Sequence, residues 1–116
     1  MKYLAFIWSE GLATPEELAV MRREIPGYAA EMERRGVRLL GRELQLPETA
    51  ATVRVRDGET LVSDGPFAET KEFVAGINLW ECANVKCTDR QQAIELAAAH
   101  PAARDHVIEV RPFYTG

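Results

Sequence analysis

Serine, histidine and cysteine are scarce in this chain of 116 residues, with two of each. Ser9 and Ser63 are the serines, and neither stands in the Gly-x-Ser-x-Gly turn that exposes a hydrolytic nucleophile. Lys and Arg clusters are missing as well. The balance of 14 basic and 18 acidic residues gives a net charge of −4, which argues against a nucleic-acid partner, because phosphate binding needs massed cations. No apolar run approaches the roughly 18 residues that span a bilayer, so no membrane partner is expected. No phosphate-cradling glycine loop appears. The opening stretch Met1 to Trp8 reads as a strand and not as a signal peptide, which implies a cytoplasmic chain with Cys82 and Cys87 reduced.

The four scarce ligand-type residues do fall in a suggestive order, Cys82-x4-Cys87-x12-His100-x5-His106. The spacing fits a loose Cys2His2 zinc finger. The intervening positions do not, because Gln91 and Ala97 stand where a finger needs large apolar residues and Pro101 stops a helix between the histidines. A chain of this length builds its own core without a metal. No metal and no cofactor are expected. A helix N-terminus beside Cys87 would lower its thiol pKa, but nothing else marks it as a nucleophile.

What the chain does contain is regular patterning. Tyr3 to Trp8 is apolar at every position, so this strand is covered on both faces. Thr14-Pro15-Glu16-Glu17 is a helix start with a capping box, and Leu18, Met21 and Ile25 follow at helical spacing. Pro26-Gly27 is expected to break or kink that helix, which resumes through Tyr28 and Met32 to Gly36. Val37 to Leu46 reads as a second strand. Thr52 to Val62, folded about Asp57-Gly58, reads as a hairpin. Val74 to Glu81 is a strand carrying Gly76, Asn78 and Trp80 on one face. Thr88 to Gln91 begins a second capped helix with Ala93, Ile94, Ala97 and Ala98 as its apolar stripe, and His106 to Pro112 is the last strand.

The order is strand, helix, strand, hairpin and loop, strand, helix, strand. It predicts one α+β domain over residues 1–116, ferredoxin-like, βαββαβ with an inserted β-hairpin. A sheet apolar on both faces needs a second cover. A second copy of the chain supplies one, which predicts a homodimer. The alternative is that the inserted hairpin folds back over that face.

One stretch stands apart from this scaffold: Ser63-Asp64-Gly65-Pro66-Phe67-Ala68-Glu69-Thr70-Lys71-Glu72. Asp-Gly-Pro sets a turn, and Phe67 is expected to pin the loop to the core. Glu69, Lys71 and Glu72 crowd charges of both signs beside it, and stiff loops on a scaffold are where binding groups sit. Asp64-Gly65-Pro66-Phe67 with Ala68 to Glu72 resembles the motif of the DGPF-type, YCII-related domain family. The resemblance extends to Leu39-Leu40-Gly41, Thr52 to Arg56 and Glu109-Val110-Arg111-Pro112. It implies a small bacterial protein with a ferredoxin-like fold that pairs as a dimeric α/β barrel. Family members are often encoded beside alternative sigma factors, which implies a signalling or stress context. YCII-related enzymes are thought to use a His–Asp pair with the histidine in the first half of the chain. The first histidine here is His100, so that pair does not carry over.

Two functions follow. One is a ligand-binding or regulatory module without chemistry, taking a small anionic or aromatic molecule beside Asp64, Phe67, Glu69, Lys71, Asn78 and Arg111. The other is an acid/base enzyme of lyase or hydrolase type, with Asp64 or Glu69 as general base and Lys71 or Arg111 holding negative charge. Trp8, Tyr28 and Trp80 are either pocket lining or core.

Overall fold

The computed structural model describes residues 1–82 and 89–115. Four strands make one antiparallel sheet: β1 (Lys2–Ser9), β2 (Arg38–Glu43), β5 (Phe73–Glu81) and β6 (Val107–Pro112). Their spatial order is β2-β5-β1-β6, and every neighbouring pair is antiparallel. Helices α1 (Pro15–Arg34) and α2 (Asp89–Ala99) complete the body. This α+β order is compatible with a ferredoxin-like arrangement. Among the described residues, strands β3 (Ala51–Arg56) and β4 (Glu59–Asp64) pair only with each other. No helix among the described residues is long and apolar enough to cross a membrane.

Local chemistry sets each boundary. Thr14 is extended, and its Oγ1 accepts a 3.1 Å hydrogen bond from the Glu17 amide at the head of α1. The helix ends in a Schellman motif. Gly36 takes φ +74°, its amide donates to Glu33 O, and the Val37 amide donates to Met32 O. Pro26 does not end the helix, contrary to the expected break. It removes one backbone bond, but buried Met21 and Met32 on either side hold the axis against the sheet.

The core lies between the helices and one sheet face. Tyr3, Ala5 and Trp80 meet Met32, Val37, Ala93 and Leu96, and Ile7 meets Met21 and Ala102. On α2 the buried positions are Gln92, Ala93 and Leu96, while Ile94 is exposed. The expected stripe through Ile94 is therefore rotated, and Leu96 supplies the bulk the alanines lack. Strand β2 stops at Glu43, short of the expected Leu46, and a 3-10 turn follows at Pro47–Thr49. The cap expected at Thr88 and the thiol of Cys87 lie outside the described residues.

On the other face Leu4, Phe6 and Trp8 of β1 lie beside Ile77 and Leu79 of β5, all half-buried in the single chain. The hairpin does not fold back to cover them. Every β4 residue is exposed, as is every β3 residue but Thr52. Its turn is built as the sequence suggests, with Asp57 at φ 53° and Gly58 at φ 75°. The radius of gyration is 16.3 Å, against roughly 13 Å for a compact domain of this length. The excess is what a projecting arm contributes.

Candidate ligand cavity

A cavity of about 490 Å³ opens between α1 and the sheet. Helix residues Leu18, Met21 and Ile25 form one wall, and Ile7, Leu44 and Phe73 form much of the other. Most of the lining is apolar, with a few convergent polar groups, as in small-molecule sites generally. Arg22 and Glu43 stand at its exposed rim as a 2.7 Å ion pair, which holds the guanidinium pKa above its ordinary value.

The polar groups come from four separate elements. Asn78 projects from the buried face of β5 and is 3 % exposed. Its Oδ1 accepts from Arg38 Nε of β2 at 3.4 Å, and its Nδ2 lies 3.4 Å from His100 Nε2. His100 caps the 3-10 turn Pro101–Arg104 that follows α2, its Nδ1 accepting a 3.0 Å bond from the Ala102 amide. Tyr28 of α1 meets the His100 ring edge-on at 4.8 Å, and its hydroxyl donates to Leu96 O at 2.8 Å. Arg38 also donates to Glu33 Oε1 at 2.7 Å.

Burial dominates the electrostatics. It lowers the His100 pKa to about 4, with electrostatic repulsion from Arg38 and then His106 adding to the effect. The ring is therefore neutral at pH 7. Burial also pushes the Tyr28 phenol well above its ordinary range, with Arg38 and Arg35 opposing it. His106 lines the cavity too, and its Nδ1 is buried with no hydrogen-bond partner among the described residues.

Gly41 makes this cluster possible. It sits on β2 opposite Asn78. A Cβ there would fall on the Arg38 guanidinium and come within 2.6 Å of Asn78 Oδ1. Only glycine leaves Arg38 the space to cross its own strand and reach Asn78.

Of the residues expected from sequence to bind a ligand, Asn78 lines this cavity. Asp64 ends β4 in solvent, opposite Ala51. Glu69 and Lys71 are exposed, in a loop where Thr70 Oγ1 donates to Glu72 O at 2.6 Å. Arg111 lies exposed on β6 beside Leu4, on the open sheet face, where neighbouring Glu109 accepts from the Trp8 indole at 3.0 Å. Phe67 does not pin the loop to the core. It is 74 % exposed, with the Arg54 guanidinium 5.1 Å above its ring. The turn at Gly65 is tied to the arm instead, through its amide to Ala50 O and its carbonyl to Thr52 Oγ1, and this leaves the ring no path inward.

Arg38 and Gly41 went unremarked as site residues in the sequence, Tyr28 was read as pocket lining or core, and His100 was weighed only as a zinc-type ligand. The available signal was Asn78 itself. A lone amide in the middle of Phe-Val-Ala-Gly-Ile-Asn-Leu-Trp, on the face that packs against helices, requires polar partners.

Comparison with known proteins points the same way as the motif. A model of the YCII-related domain family matches residues 1–115. A protein of Rhizobium meliloti (strain 1021), described as uncharacterized, is 46 % identical over 68 residues. That match covers 58 % of this chain and 52 % of the relative, so the chain matches about half the length of its curated relative.

Proposed function

The chain belongs to the YCII-related domain family, and from that premise we propose that it is a small-molecule-binding or regulatory protein whose ligand occupies the cavity between α1 and the sheet. One observation carries this reading: an apolar cavity of about 490 Å³ into which Arg38, Asn78 and His100 converge from three different elements. The acid/base enzyme alternative would need Asp64 or Glu69 near that space, and neither lines it. A thermal-shift screen with small carboxylates and aromatic molecules tests the proposal. Stabilisation by some members, abolished when Ile25→Trp fills the cavity, supports it. No shift with any member overturns it.

The proposal includes a ferredoxin-like homodimer of the α/β-barrel type. Its support is the apolar open face of Leu4, Phe6, Trp8, Ile77 and Leu79, which needs cover that the hairpin does not give. Sedimentation at micromolar concentration is expected to show a dimer that Phe6→Lys dissociates. A lone, folded protomer of the native sequence would refute the pairing.

A further inference from the structure

The polar cluster at the back of the cavity is one hydrogen-bond acceptor short. His100 Nδ1 is committed, because it accepts from the Ala102 amide. The proton of the neutral ring therefore resides on Nε2, and Nε2–H is a donor. It faces Asn78 Nδ2, another donor, at 3.4 Å. The single acceptor of Asn78 is Oδ1, which already faces Arg38 Nε. Turning the amide over does not cure the mismatch. Oδ1 would then serve His100, and Nδ2 would face the Arg38 guanidinium. In either orientation one N–H is aimed at another.

The charge around the cavity is also unbalanced. Arg22, Arg38 and Arg42 line it against one carboxylate, Glu43. Glu43 is engaged by Arg22 at the rim, and Glu33 answers Arg38 from the exposed side. Among the described residues the buried side of Arg38 hydrogen-bonds the amide of Asn78, a neutral group.

We infer that the cavity selects a small carboxylate with an apolar body, its two oxygens supplying the acceptors that Arg38, Asn78 and His100 lack among themselves. A carboxylate has acceptors only, so it meets each of these N–H groups with the right polarity. Its planar pair of oxygens matches a guanidinium edge. The body of the ligand lies among Leu18, Met21, Ile25 and Phe73. Gly41 is a positioning residue for this head group, since a Cβ there would displace the Arg38 guanidinium. The inference rests on the cavity reading above and sharpens it to a ligand class.

Three near-isosteric probes separate the two levels: 3-phenylpropionate, 3-phenylpropionamide and 3-phenylpropanol, each titrated calorimetrically into the whole protein. The acid is expected to bind at least tenfold more tightly than the amide, whose NH2 repeats the donor mismatch. Asn78→Asp places the missing acceptor in the protein itself, so it should fold well and lose the preference for the acid. Gly41→Ala should lose the preference for the acid by displacing Arg38. Nitrogen NMR of the free protein is expected to show the Nε2–H form of His100. Equal binding of acid, amide and alcohol overturns the carboxylate inference and leaves the cavity reading standing. A preference that survives Asn78→Asp, or an Nδ1–H ring in the free protein, also overturns it. Binding of none of the three, alongside a screen without shifts, overturns both.

Discussion

The cavity and the hairpin arm use polar residues in opposite ways. The arm and its following loop crowd Asp64, Glu69, Lys71 and Glu72 into nine consecutive positions, and all four stay in solvent. The cavity gathers Tyr28, Arg38, Asn78 and His100 from positions spread across most of the chain, and brings three of them within hydrogen-bonding range of one another. Density along the sequence is therefore a poor guide to convergence in space. A solvated charge costs little wherever it stands, whereas a buried amide or imidazole must be met by partners that the fold delivers. Residues of the second kind carry more information about a site, although they are less conspicuous.

The largest expected contrast is in stability. Trp80 is wholly buried at the centre of the body, and Trp80→Ala should cost about 3–5 kcal/mol, the usual penalty for removing a large aromatic side chain from a core. Val62 of the arm is exposed, and Val62→Ala should change stability by less than about 0.5 kcal/mol in the protomer. Urea denaturation of both variants measures the difference. Similar losses would mean that the arm is folded into the body's cooperative unit, and the comparison would fail.

The next effect is pH dependence, and it belongs to the cavity alone. His100 is held neutral with its pKa lowered from 6.5 to about 4, by burial first and then by Arg38 and His106. Tyr28 and Asn78 also face the ring, and neither carries a charge at these pH values. The unfolded chain takes up the proton near pH 6.5, while the folded protein resists until about pH 4. Stability from this source is complete above 6.5 and is lost as pH falls from 6.5 towards 4. The loss should be on the order of 2 kcal/mol. Denaturation midpoints followed across that window should fall in the native sequence and fall less in His100→Gln. Val62→Ala should keep the native slope. An unchanged slope in His100→Gln would show that the ring is not the buried neutral group described here.

Much of the fold was legible in the sequence for reasons these effects make plain. Thr14-Pro15-Glu16-Glu17 and Asp57-Gly58 are local solutions to local backbone problems, so they carry over directly into the helix start and the hairpin turn. The alternation in β5 placed Asn78 and Trp80 together on one face, and the helices cover that face. The site was much less legible. Arg38 reaches Asn78 only because Gly41 lies between them, which is a relation across two strands that no spacing along one strand reveals. His100 stood out only as a zinc-type ligand in a spacing that fails and as a histidine too late in the chain for the family's His–Asp pair. Phe67 misled, because a single large apolar residue in a polar loop suggests an anchor. Its contact is instead the guanidinium of Arg54 on the neighbouring arm strand.

The smallest expected effect tests that last contact and sharpens the comparison most. An exposed cation–π pair such as Arg54 over Phe67 contributes about 0.5–1 kcal/mol. Phe67→Ala should therefore lower the melting temperature of a dilute protomer by only a few degrees. If the proposed twofold assembly seats the arm on a second copy, the ring is no longer a solvent-facing group, and its removal acts through association as well as through the fold. The deficit would then grow with protein concentration, because oligomerisation couples to stability by mass action. Melting curves of native protein and Phe67→Ala over a hundredfold range of concentration separate the two cases. A constant small gap assigns the Asp64–Glu72 loop to the arm alone, while a widening gap makes it part of an intersubunit surface, with an apolar ring kept exposed for a partner to cover.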